Sequence, residues 1–372
     1  MRVQPFTDLL YLGLRAAHAL DRRARNTADF RPEAVRVILA VSTTAVGDTA
    51  MSSAGLHALR IRYPDARLVA LLHPATGRLL KDHPDIDEHL FYSGRYADFM
   101  RTLRVLHRLR PDVAAVFHGN EPQMTPLLYL AGIPFIFKLP NTSRNRFLLS
   151  NASPRQAWAD LGHGLRQRLA VARLAGADSD DPHMYLPVSN EARAAAETLL
   201  AAYGVTPGAP LIGLQTGASE PHRAWPAESF VALGHALAAR HPGLRLILTG
   251  SPAEAAHCQR IAEAIGPVAI NLAGALGLDH LPALIERLDV LVSGDTGPMH
   301  IAFAVGTPTV CLFGASDPAG AGPIYDLDRH SVLAAPWDAS ARALTAPMTR
   351  IGVNAVAAAV ETRLGEHPAA TA

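Results

Sequence analysis

Residues 288–318 read LDVLVSGDTGPMHIAFAVGTPTVCLFGASDP, and the strand, turn, helix and second strand in this stretch constrain the fold more than any other feature of the chain. Leu288 to Ser293 is a short apolar run of the kind that is buried on both faces of a parallel sheet. Gly294 ends it. Asp295 or Thr296 can cap the helix that follows, Gly297 permits the tight turn, and Pro298 fits the first helical position, where its missing N–H is no loss. Gly306 and Pro308 stop the helix, and Thr309 to Phe313 resumes as a strand. Such a turn leaves backbone N–H groups unpaired at the carboxyl edge of a parallel sheet, a natural seat for a phosphate or diphosphate. Asp-Thr-Gly-Pro is equally the sequence of a well-capped helix without a ligand, and His300 equally a satisfied structural histidine.

A chain of 372 residues is longer than one core usually supports, which predicts two domains. Hydrophobic residues make up 49% and charged residues 18%, the balance of a globular α/β protein with large buried faces. A formal net charge of +1 gives no global attraction to nucleic acid, so any basic patch must be local. Cys258 and Cys311 are the only cysteines. One lies in a helix-like stretch and one in a buried strand, which excludes a disulfide framework and points to a reducing compartment. With no apolar run of about eighteen residues and no signal-peptide pattern at the start, the expected location is the cytoplasm.

Residues 5–27 precede the first strand. Leu9, Leu10, Leu12, Leu14, Ala17 and Leu20 can share one helical face, with Arg15, Arg22, Arg23 and Arg25 adding basic charge. The helix either packs on the body of the protein or lies on an anionic membrane surface. Val35 to Val41 is the first strand. It runs through a small-residue loop into Gly47-Asp48, a helix from Met51 to Tyr63, and a second strand from Arg67 to Leu72, which is a β-α-β opening. Asp48 lies just past the end of that strand, where open α/β sheets place their ligands, and on its own is a better N-cap candidate than a catalyst. Strands at Val113 to Phe117 and Pro134 to Lys138 follow. Lys138, Arg144 and Arg146 then fall in a polar loop that can meet an anionic acceptor or simply be solvated.

A helix from His163 to Ala175 precedes a boundary placed near Leu186. The second half opens with the helix Glu191 to Tyr203 and the strand Pro210 to Gln215, which ends in Thr216-Gly217-Ala218-Ser219. Arg223-Ala224-Trp225-Pro226 and a helix to about Arg240 come next. The strand Leu244 to Thr249 leads into Gly250-Ser251-Pro252-Ala253-Glu254 and a helix to Ile265. Ile270 to Leu276 is a strand with its loop, Leu281 to Arg287 a helix, and Val353 to Leu364 the last helix. Read on its own, Glu254 is a first-turn acid favoured by the helix dipole.

The run Asp295-Thr296-Gly297-Pro298-Met299-His300, with Ala304, Gly306, Pro308, Leu312-Phe313-Gly314 and Asp317-Pro318, resembles the signature of glycosyltransferase family nine, the ADP-heptose:lipopolysaccharide heptosyltransferases. The resemblance extends over roughly Val35 to Pro318. It implies an α/β fold of the GT-B type, two Rossmann-like domains facing each other across a cleft. Residues 1–185 would bind the acceptor, with 1–30 as a helical extension. Residues 186–350 would bind the nucleotide-sugar donor, and 351–372 would pack back on the first domain. It further implies inverting transfer of L-glycero-D-manno-heptose from ADP-heptose to a hydroxyl of the lipopolysaccharide inner core. Asp48 would be the general base. Arg223, where the family usually has lysine, would face the diphosphate. Glu254 would bind the ribose and Leu276 the adenine, while Ser219, Asp295, Thr296, Gly297 and His300 complete the donor site, Asp295 orienting sugar hydroxyls or the loop's own amides and His300 helping to hold the diphosphate.

No Asp-x-Asp motif stands beside the diphosphate seat, so no obligatory metal or other cofactor is expected. Neither Gly-x-Gly-x-x-Gly after a strand nor a Walker lysine motif is present, against nicotinamide, flavin and P-loop chemistry. The rival readings are heptosyl transfer to a protein or small molecule, a sugar-nucleotide 2-epimerase of the same fold, and a non-catalytic sugar-nucleotide-binding paralogue. Donor turnover without an acceptor would reveal the epimerase. The presence of Asp48 speaks against the paralogue.

Overall fold

The structure, a computed structural model, describes residues 5–21, 26–119, 121–206, 208–314, 316–335 and 346–366. The chain forms two units. The first runs to Pro182 apart from Arg78–Asp82, and the second takes those residues and the chain from His183 onward.

In the first unit, β1 (Val37–Ser42), β2 (Arg67–Leu72), β3 (Glu88–Phe91), β4 (Val113–His118) and β5 (Phe135–Lys138) form a parallel sheet in the order β3-β2-β1-β4-β5. β1 and β4 are buried along nearly their whole length, as the continuous apolar runs VILAV and VAAVF require. Each fully buried Leu, Ile or Val there contributes about 1.5–3 kcal/mol. Helices α1 (Pro5–Leu20), α2 (Val46–Arg62), α3 (Tyr96–Leu109), α4 (Met124–Leu130) and α5 (Gly164–Leu174) accompany the sheet. Leu39, Val41, Ala114, Val116, Leu127 and Leu128 share one core cluster with Leu14 of α1. The N-terminal helix therefore packs on its own unit, through Leu14 and through the edge of Tyr11 on Phe147 at 5.5 Å. Leu12 and Leu20 of the expected apolar face are exposed. Arg22, Arg23, Arg25 and the side chains of Leu9 and Leu10 lie outside the described residues.

In the second unit, β6 (Leu211–Gln215), β7 (Arg245–Thr249), β8 (Ala269–Asn271), β9 (Val290–Gly294), β10 (Thr309–Phe313) and β11 (His330–Ala334) form a second parallel sheet, in the order β11-β10-β9-β6-β7-β8. Its helices include α6 (Asn190–Ala202), α7 (Ala227–Arg240), α8 (Ala255–Ile265), α9 (Leu281–Glu286), α10 (Gly297–Val305) and α11 (Val353–Glu366). The strand, turn, helix and strand read from residues 288–318 are β9, α10 and β10, with Pro298 one position further into the helix than expected. β3 and β11 have no counterpart in the sequence reading. Both are edge strands with partly exposed faces and carry little apolar pattern.

The last helix, expected to pack back on the first domain, packs within the second unit. Val356, Ala357 and Val360 of α11 are fully buried in the same cluster as Leu233 and Leu237 of α7 and Val310 and Leu312 of β10. The apolar stripe of α11 is spent covering one face of the second sheet.

Candidate active site

In each unit the strand order reverses at one point, between β1 and β4 in the first sheet and between β6 and β9 in the second. The carboxyl ends of strands diverge into a crevice at such a point, where α/β sheets place ligands. The polar groups singled out by sequence gather at these two places.

In the first unit Asp48 lies in the first turn of α2. The N-cap is Ala45, and no side chain caps the helix, so the capping role open to Asp48 is not the one it fills. Its carboxylate turns to side chains instead. Oδ2 accepts from the Thr44 hydroxyl at 2.9 Å and Oδ1 from Nη2 of Arg168 at 2.7 Å. Arg168 comes from α5, which approaches α2 closely because residue 164 is glycine. A Cβ there would stand 2.8 Å from Sδ of Met51. His118 closes the group. A register shift in the β1–β4 pairing sets His118 opposite Ser42, and its Nδ1 is 2.6 Å from Oγ1 of Thr44 and 3.5 Å from Oδ2 of Asp48.

Burial pushes the Asp48 carboxyl up, but the Arg168 charge and the hydrogen bonds from Thr44 and Arg168 outweigh it and hold the group below the usual carboxylate value. Burial and the nearby Arg168 bring His118 down to about 4, against the attraction of Asp48. Near neutral pH, Asp48 is therefore ionised and His118 neutral.

Lys138, Arg144 and Arg146 do not form one basic cluster. Lys138 is the last residue of β5, and its buried ammonium donates to the Gly119 carbonyl. Burial lowers its pKa, with the charge of Glu121 opposing. Arg144 is exposed and lies 3.9 Å over the ring of Tyr11, and Arg146 is exposed in a short turn. A strand end and a loop part them because Lys138 belongs to the sheet.

In the second unit, Arg223 ends a short turn, Pro221–Arg223, whose neighbour Trp225 anchors it. Trp225 is buried, donates Nε1–H to the Ile351 carbonyl at 3.0 Å and packs edge-on against Phe230 at 5.0 Å. Nη1 of Arg223 stands 3.3 Å from Oδ2 of Asp295, and Nε 3.8 Å from Oε2 of Glu220. His222 pairs with the same Glu220 oxygen at 3.0 Å. Asp295 precedes α10, and Nε2 of the buried His300 is 3.9 Å from its Oδ1. Thr296 is the N-cap, yet its hydroxyl pairs with Ser293 at 3.0 Å and no side chain caps the helix. The N-cap side chain therefore satisfies none of the first-turn amides, Gly297 among them.

Glu254 follows β7. Oε2 accepts from the Ser251 amide at 2.7 Å in a capping box, while Oε1 lies against Gly217 at the end of β6. Leu276 is half-buried in the turn after β8, which the Gly274 amide ties to the Gly250 carbonyl at 2.9 Å. Ser219 is exposed in the β6 loop. Arg223, Asp295, Thr296, Gly297 and His300 thus meet at the switch point, with Glu254, Leu276 and Ser219 on loops along the same edge. The sequence reading missed Arg168, His118, Glu220 and His222. For Arg168 one signal existed: it lies on the stripe of Leu165, Leu169 and Ala172, where a charge is out of place.

Two Rossmann-like units, each with its polar groups at the carboxyl edge of its switch point, are the architecture of the GT-B class. The chain belongs to glycosyltransferase family 9 (heptosyltransferase), whose sequence pattern matches residues 126–348. It is 27% identical to lipopolysaccharide heptosyltransferase 3 of Escherichia coli over 288 residues, 73% of this chain and 81% of that one. It is 28% identical to lipopolysaccharide heptosyltransferase 2 of Salmonella typhimurium over 309 residues, 77% and 85% of the two chains. Among solved structures, the E. coli ADP-heptose lps heptosyltransferase II shares the fold with a TM-score of 0.75 at 22% identity, covering 89% of this chain and 99% of that one.

Proposed function

We propose that this glycosyltransferase moves L-glycero-D-manno-heptose from ADP-heptose to a sugar hydroxyl of the lipopolysaccharide inner core, with inversion at the anomeric carbon. The observation that carries the reading is the seat at the β6–β9 switch point, where the Arg223 guanidinium and the uncapped amides of α10 converge. Such a seat suits a diphosphate leaving group. Glu254 takes the ribose hydroxyls through Oε1, Leu276 lies on the adenine, and Asp295 and His300 orient the sugar and diphosphate beside Ser219 and Thr296. Asp48, ionised near neutral pH, accepts the proton of the acceptor hydroxyl as its oxygen bonds to the anomeric carbon and ADP leaves with the electron pair of the broken bond. Exposed Arg144 and Arg146 are the weaker acceptor contacts, and buried Lys138 acts through the Gly119 carbonyl.

Among the described residues no helix is long and apolar enough to cross a membrane. The proposed setting is the cytoplasm, at the inner-membrane face where a lipid-linked acceptor is reached. The test is to incubate purified protein with ADP-heptose and a series of truncated core acceptors and weigh the products. One acceptor gaining one heptose supports the reading. ADP release without sugar transfer to any of them overturns it.

A further inference from the structure

Asp48 does not stand alone at the carboxyl edge of the first sheet. Arg168 is completely enclosed, with its Nη2 on Oδ1 of Asp48 and its Nη1 donating to the Gly164 carbonyl at 3.1 Å. The Thr44 hydroxyl has one proton and gives it to Oδ2 of the ionised carboxylate. The 2.6 Å contact with Nδ1 of His118 is then a donation from the ring, which fixes His118 as the Nδ1–H tautomer. The carboxylate is gripped at both oxygens by groups from different elements, and each oxygen keeps a lone pair. The other charged groups facing this centre are Lys138 at the end of β5 and Glu121, whose Oε2 takes the Thr43 hydroxyl at 3.0 Å.

A buried guanidinium is poor value as a stabiliser, because desolvation offsets what its ion pair returns. Nε of Arg168 has no hydrogen-bond partner among the described residues, so its bonding is not even complete. An apolar side chain would serve packing better on this stripe. We infer that Arg168 is a positioning residue for the transfer step: its guanidinium fixes the plane of the Asp48 carboxylate and supplies its counter-charge. The inference rests on reading Asp48 as the base.

The test compares Arg168→Lys and Arg168→Gln with wild type in three ways: folding, the kcat–pH profile at saturating substrates, and the NMR titration of the labelled Asp48 carboxyl carbon. In Arg168→Gln the carboxyl should titrate higher by about 1 to 3 pH units, the usual effect of losing an adjacent opposite charge. The acid limb of kcat should move up with it, and the KM for donor should hold. Arg168→Lys keeps the charge but loses the fork. It should retain the limb and lose kcat by at least ~tenfold through misplacement of the base. An unmoved carboxyl titration in folded Arg168→Gln overturns the inference, as does wild-type kcat in folded Arg168→Lys. Should Arg168→Gln not fold, the Lys variant decides by the same kcat criterion. If wild type transfers no heptose, the function proposed above fails, and the carboxyl titration still decides whether Arg168 governs Asp48.

Discussion

Asparagine at position 48 would match the size of the native side chain and would cap a helix equally well, so a mere cap predicts no effect. The structure predicts two. Asp48→Asn removes the only carboxylate paired with Arg168 among the described residues and should cost about 3–5 kcal/mol of stability, because a buried charge is left alone. It should also cut transfer by about 10² to 10⁴. Adding Arg168→Met should restore most of the stability and none of the rate. Denaturant midpoints and transfer rates of the two variants check this, and a stable, inactive single variant would show that Arg168 does not need its partner. At Arg223 the expectation concerns turnover. Arg223→Ala should lower kcat more than donor affinity, since the charge it meets grows as the bond to the diphosphate breaks, and Arg223→Lys should recover much of the loss. Equal kcat for Ala and wild type would make Arg223 a surface residue. Asp48 and Arg223 were legible because each follows a strand end in the local sequence. The pairing of Arg168 with Asp48 was not, because the two lie 120 residues apart in the chain.

The elements that carry the proposed donor-binding groups are loops whose shapes depend on small residues. Oε1 of Glu254 occupies the space where residue 217 would have a side chain, and a Cβ there would overlap it. Gly217→Ala should therefore displace the Glu254 carboxylate and weaken ADP by about 1–3 kcal/mol, as much as Glu254→Ala itself. The double variant should weaken it no further. Calorimetry of the three variants reads the coupling, and additive losses would separate Glu254 from this loop. At this scale the sequence was informative wherever an apolar run ended in Gly, Ser or Thr, because buried parallel strands leave that pattern. It was silent on where a helix docks. The apolar face of α11 is the same whether it covers the first sheet or the second, and only the tertiary contacts with α7 and β10 decide. Lys138 was misread for a related reason: a lysine at a strand end looks like the first residue of a loop, although its ammonium is buried on Gly119.

Among the described residues a buried histidine with a strongly lowered pKa stands in each unit, and the two make stability respond to acid. His118 in the first unit and His330 in the second are both brought from 6.5 down to about 4, chiefly by burial. His330 donates to or accepts from Thr309 through Nδ1 at 2.9 Å, and its Nε2 is buried without a hydrogen-bond partner among the described residues. In the unfolded chain each ring binds a proton below about pH 6.5, but in the folded unit only below about 4. Between these values the unfolded state holds more protons, so stability rises with pH. The contribution is complete above about pH 6.5 and is lost as the pH falls to about 4, on the order of 3 kcal/mol for each ring. Asp48, with its pKa below the usual carboxylate value, adds a further loss in the first unit at still lower pH. Hydrogen exchange resolved to peptides of each unit, compared at pH 7.5 and 4.5 after correction for intrinsic rates, reads the two units separately. His330→Gln should flatten the acid loss of the second unit and leave the first unchanged, and His118→Gln should do the reverse. If either substitution leaves the pH slope of its own unit intact, that ring is not held neutral by the fold.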